Sequence, residues 1–277
     1  MYNHSPALDS ESLPDAYVQS KTLLRLAAIY SALPIVRPRI EHHLLHFNRA
    51  LYKNIARYPP SYLKLGHLLR SRKVFTEALI HVVGQWPAHA KYLADVDPRV
   101  RDLIEDKHDE LSETRHKVDG RLFRLGLTSA RSGEKIGPQH FLDWMAVCLF
   151  RQWLVERTAP AAKSGILKSQ RGSHGAGAGA PKADPAVPGR PYRLLAQGGE
   201  AYLPRAELRE FLKHQAPREL YSRDTLKRLE RRMDEVKAQA RDQVRSLCRS
   251  FLEGEGEVGH LVCVRVEERD LGWVWGE

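Results

Sequence analysis

Cysteine is scarce in this sequence: 277 residues hold three, Cys148, Cys248 and Cys263. They lie far apart, are odd in number and never form a CxxC pair. This argues against a disulfide framework and a cysteine zinc site and points to a reducing, intracellular setting, cytoplasm or nucleus. Long apolar runs are missing as well. No stretch approaches the ~20 uncharged apolar residues of a membrane span, so no membrane contact is expected. Met1 to Asp9 contain no basic-then-apolar run, and no secretory leader is expected there. Catalytic phrases are also missing: HExxH, the GxSxG elbow and a phosphate loop ending in GK[ST] do not occur. The expectation is a protein without enzymatic activity and without a cofactor.

What is present is an excess of positive charge and a great deal of helical patterning. Lys and Arg number 44 against 34 Asp and Glu, a net charge of +10, and hydrophobic residues make up 42%. That apolar share suffices for a sizeable core and is too high for wholesale disorder. The charge is uneven. Residues 1–159 carry +6, residues 160–250 carry +9, and residues 251–277 carry −5.

Residues 12–158 read as a helical domain behind a disordered N-terminus, residues 1–11. Ser12 and Asp15 have capping spacing, with Pro14 in the first turn. Pro34 and Pro38 mark the next start. Val36, Ile40, Leu44, Phe47, Leu51 and Ile55 then step by three and four, which predicts one helix. Pro59-Pro60 opens another, and Val74 to Trp86 forms a buried face closed by Pro87. Asp97-Pro98 caps a long charged helix, and Phe141 to Val155 is apolar almost all round, a core helix. Residues 159–190 are rich in Gly, Ala, Ser, Lys and Pro and read as a flexible linker, the expected first site of proteolysis. Residues 191–277 read as a helical segment, with Asp224 as a helix cap, plus a terminal β-hairpin. The hairpin follows from Val262, Val264 and Val266 alternating toward Trp273 and Trp275. The whole is expected to be mainly α: a multi-helix bundle with a disordered Gly/Ala/Pro linker and a small C-terminal β-hairpin. Uneven helix lengths argue against a regular repeat.

Four groups of residues carry candidate chemistry. His42 and His46, four apart on one helix, could present two imidazoles to a divalent metal, but no third ligand stands at a diagnostic distance. A helical metal-dependent enzyme is the third and weakest functional reading. Glu77 and His81 have the spacing of an i,i+4 contact that satisfies a half-buried histidine. Lys227, Arg228, Arg231 and Arg232 begin a basic helix in segment 205–249 that could follow a phosphate backbone, the nucleic-acid reading. Interleaved Glu230, Asp234, Glu235 and Asp242 favour a solvated face of ion pairs instead. Leu226, Leu229, Met233 and Val236 form an apolar stripe that suits a partner helix, in another protein or in the same chain.

One segment carries a family resemblance. Leu24-Arg-Leu-Ala-Ala-Ile-Tyr30, Ile55 to Leu63, and Glu77-Ala78 through His81 to Gly84-Gln-Trp86 resemble the helical region that follows the BTB domain in proteins of filamentous fungi. Cys263-Val-Arg-Val-Glu267 is similar to the tail of that group. The resemblance covers residues 17–90 and, more weakly, 258–275. It implies a protein-interaction or scaffold role with a protein partner that the sequence does not name. A BTB domain takes roughly 100 residues, and Met1 to Ala16 are too few to hold one. The expectation is therefore a truncated relative lacking the dimerising and cullin-binding surface.

Overall fold

The computed structural model describes residues 8–129, 133–158, 189–214, 218–254, 256 and 258–272. The chain is mainly α. It divides into two compact units: residues 1–112 with 250–277, and residues 113–249. This differs from the domain boundaries expected from composition. The division falls inside one long helix, whose regular apolar spacing conceals it, and the C-terminal segment belongs to the first unit.

The first unit contains α1 (Leu13–Ile29), α2 (Leu33–His46), α3 (Arg49–Arg57), α4 (Pro59–Leu69) and α5 (Arg72–Gly84). The expected start at Ser12 holds: its hydroxyl accepts from the Asp15 amide at 3.4 Å. Residues 8–11 are not the disordered tail expected of 1–11. Leu8 is buried, the Asp9 carboxylate accepts from the Glu11 and Ser12 amides, each at 2.7 Å, and the Asp9 carbonyl meets His43 Nε2 at 2.7 Å. Residues 1–7 lie outside the described residues. The single helix expected from Val36 to Ile55 is two, because Asn48 takes φ +44° between α2 and α3. Pro38 lies inside α2 rather than at its start. The apolar spacing passes through the break unaltered, since both helices turn the same stripe inward.

Helices α4 and α5 form the tightest pair. Gly66 permits it: a Cβ there would stand 2.7 Å from the Phe75 amide nitrogen. Ser71 caps α5 by accepting from the Val74 amide at 3.3 Å. The core gathers Ile40, Leu44, Leu51, Ile55, Leu63, Phe75, Leu79 and Ile80, all essentially inaccessible. Helix α6 (Pro98–Arg124) starts in this unit and ends in the second.

The C-terminal segment does not form the expected hairpin. Residues 258–267 contain no strand, and α11 (Glu268–Gly272) takes the place of the turn. Residues 273–277, which hold Trp273 and Trp275, lie outside the described residues. The alternation instead makes an extended strap. Leu261, Val262 and Val264 are buried in the first unit, and Gly84 leaves room for the strap backbone, since a Cβ there would stand 2.2 Å from the Leu261 carbonyl oxygen. Burial here is not strictly alternating, since His260, Leu261 and Val262 are all buried and Val266 is only half-buried, as a segment pressed between helices allows.

The second unit contains the end of α6 with α7 (Phe141–Thr158), α8 (Arg190–Gln197), α9 (Arg205–His214) and α10 (Arg223–Val244). Helix α10 packs on α7, α8 and α9. Its cap is Ser222, whose hydroxyl accepts from the Thr225 amide at 3.1 Å, and not Asp224, which sits in the first turn. Met145, Ala146, Leu208, Leu212, Leu229 and Met233 form one buried cluster. Among the described residues, β-structure is limited to an isolated bridge between Thr128 and Lys135. The expected linker, 159–190, lies outside the described residues up to position 188.

Candidate functional site

His42 and His46 both stand exposed on α2. Among the described residues, no three His, Cys, Asp or Glu side chains gather as they would around a metal ion.

Glu77 and His81 are buried on α5, each directed at the strap. The Glu77 carboxylate accepts from the backbone amides of Glu253 and Gly254 at 2.9 and 3.1 Å, and Tyr52 donates to the Glu253 carboxylate at 2.7 Å. His81 Nδ1 lies 2.9 Å from His260 Nε2. Burial pushes the Glu77 carboxyl up and holds His81 down at about 4. The i,i+4 spacing is as read, but the partners come from 176 and 179 residues away. These groups fasten the strap.

The basic start of α10 is largely engaged within its own unit. Asp143, buried on α7, accepts from Arg228 Nε and Nη2 at 2.9 and 3.0 Å and from Arg232 Nη2 at 3.1 Å. Arg231 and Arg232 also meet Glu235 at 3.3 and 2.6 Å. Burial raises the Asp143 carboxyl, but bonds from the two guanidinium groups outweigh it and hold the pKa below the ordinary value. Lys227, Arg228, Arg231 and Arg232 line a shallow depression of about 380 Å³. Leu229, Met233 and Val236 are fully buried and Leu226 packs beside them, so the partner of this stripe is the chain's own second unit.

A larger concavity lies on the first unit, a groove of about 730 Å³. One wall is α1, where Tyr17, Lys21 and Arg25 follow one another at i,i+4 along a single stripe. The floor and second wall are Tyr58, Pro59, Pro60, Leu65 and Leu68, with Arg57 and Lys64. His89, Tyr92 and Asp95 close the end. Two prolines can occupy this wall because they open α4, where their missing N–H groups cost nothing. Tyr58, Leu68 and Tyr92 are 49%, 50% and 55% exposed, which is high for large apolar side chains. The Tyr17 hydroxyl donates to the Ser61 carbonyl at 3.4 Å and its ring lies 5.2 Å from that of Tyr62, fixing one wall against the other. Burial holds His89 below its ordinary pKa.

The groove is also electrostatically one-sided. Four cations line it against one carboxylate, Asp95, which pairs with Lys64 and is thereby held below its ordinary pKa. Lys21 stands over the Tyr17 ring at 5.5 Å and Arg57 over the Tyr58 ring at 5.3 Å.

Sequence reading did not single out this groove. The i,i+4 stripe of Tyr17, Lys21 and Arg25 was visible, but its opposing wall comes from positions 57–68 and 89–95, which only folding brings near. Comparison with protein-family models, with curated proteins and with solved structures finds no match.

Proposed function

We propose that this chain is a non-enzymatic, intracellular protein-interaction scaffold, akin to the helical region that follows the BTB domain in filamentous-fungal proteins, and that it works by docking other proteins. The observation that carries the reading is the groove between α1 and α4. A concavity of its size falls in the range that accommodates a ligand, and exposed Tyr58, Leu68 and Tyr92 beside exposed charge have the anatomy of a docking surface. The buried acid and base that could suggest catalysis, Glu77 and His81, are both committed to the strap.

The test is selection of a random displayed peptide library on the purified full chain. Enriched peptides whose binding falls at least tenfold with Tyr58→Ser or Leu68→Asp support the reading. Failure to enrich, or binding indifferent to both substitutions, overturns it. The nucleic-acid alternative rests on the depression lined by Lys227 to Arg232. It predicts sub-micromolar, salt-sensitive duplex binding that Arg231→Glu with Arg232→Glu abolishes.

A further inference from the structure

We propose that the groove takes an acidic peptide segment of a partner protein, carrying apolar anchors between its carboxylates. This rests on the docking reading above and specifies its partner. The charge balance is the first argument. Lys64 is neutralised by Asp95, but Lys21, Arg25 and Arg57 face no carboxylate at ion-pair distance among the described residues. Lys21 already feels the Asp95 carboxylate at longer range, which leaves Arg25 and Arg57 as the uncompensated cations that a ligand of opposite sign would engage. Guanidinium groups suit this best, since each can bind a carboxylate with two parallel hydrogen bonds.

The floor decides what lies between the carboxylates. Leu68, exposed beside the largely buried Pro59, Pro60 and Leu65, is aliphatic and matches leucine, valine or aromatic side chains. It also argues against a single-stranded nucleic acid, which needs flat ring faces for its bases. One face of each ring is occupied: Arg57 stands over Tyr58 at 5.3 Å, Lys91 over Tyr92 at 4.7 Å, and Tyr17 packs against Tyr62.

The chain's own segments fit less well. Residues 159–188 carry four Lys and Arg against one Asp, the wrong sign. Among the described residues, the acidic side chains of the strap are engaged, Glu253 by Tyr52, Glu267 by Arg269, Glu268 by Arg72 and Asp270 by Lys107.

The experiment compares short synthetic peptides by fluorescence anisotropy on the full chain. One alternates glutamate with leucine and phenylalanine, and its counterpart has glutamine for every glutamate. At about 0.15 M ionic strength the acidic peptide should bind at least tenfold tighter, with the gap closing as salt screens the exposed charges. Arg25→Glu with Arg57→Glu should abolish that advantage, and the milder pair Arg25→Gln with Arg57→Gln should reduce it. Both arginines are exposed, so circular dichroism should show unchanged helix content. Equal affinity for the two peptides, indifference to the arginine changes, or displacement of the acidic peptide by a single-stranded oligonucleotide overturns the proposal. If the glutamine peptide binds equally and Tyr58→Ser abolishes it, the docking reading stands and the acidic partner falls.

Discussion

At the scale of single residues, two buried polar groups fasten the C-terminal segment within the first unit, and their titration has opposite signs. Burial holds His81 at about 4 against an ordinary 6.5. Between those values the unfolded chain takes up a proton that the folded chain refuses. The stability His81 supports is therefore complete above about pH 6.5 and is lost as pH falls toward 4, up to about 3 kcal/mol. Glu77 is raised, so its share is complete below its ordinary 4.5 and declines as pH climbs through its folded value. Thermal melts should show the midpoint falling from pH 7 to pH 4, and His81→Gln should flatten that slope. Asp143 differs, because its partners are guanidinium groups. Asp143→Asn should cost about 2–3 kcal/mol in chemical denaturation, below the ~3–5 kcal/mol of a fully buried broken pair, since the Arg228 side chain is 54% exposed. Arg231→Glu, on a side chain 76% exposed, should stay within about 0.5 kcal/mol of the native protein.

At the scale of elements, close approaches and buried stripes decide which helix meets what. Gly84 has no space for a methyl group beneath the Leu261 carbonyl oxygen. Gly84→Ala should cost about 1–3 kcal/mol and raise hydrogen exchange along 250–266 before it does so in α4, because the strap is the part free to yield. Helix α10 shows the complementary case. Leu229 and Met233 are wholly enclosed by α7 and α9, so Leu229→Ala should lose about 2–5 kcal/mol in denaturant unfolding. The stripe was legible as amphipathic from sequence, with a partner in the same chain among the expected outcomes; which helices supply it was not, because a helix face records that it must be covered and not by what. The cap at Ser12 was legible, with Asp15 three residues on and Pro14 in the first turn. The preference for Ser222 over Asp224 was not, because both types cap well and only the backbone turn selects one.

At the scale of the molecule, the first unit is closed by residues from the far end of the chain. Leu261, Val262 and Val264 bury their side chains there, at about 1.5–3 kcal/mol each. A chain ending at Arg249 loses these contacts together with the Glu77 and His81 bonds. The combined loss is comparable to the 5–15 kcal/mol that stabilises an ordinary domain. Circular dichroism melts of that chain should show an early transition from the first unit, while a chain extending through Gly272 melts later.

The sequence by itself determined the helical class, most helix positions and which face of each helix is apolar, because these depend on residues three and four apart. It also showed that Val262 and Val264 are buried, but not that His260 and Leu261 are buried beside them while Val266 is only half-buried. Only the tertiary structure decided that this segment meets helices instead of a second strand, and that Glu77 and His81 serve a strap more than 170 residues away. The groove belongs to the same category. Tyr17, Arg57 and Tyr92 have no periodic relation along the chain, and their convergence follows from how α1, α4 and the turn at Ala90–Tyr92 pack within the first unit. Local spacing sets secondary structure; a concave surface depends on contacts between distant segments, which no local pattern encodes.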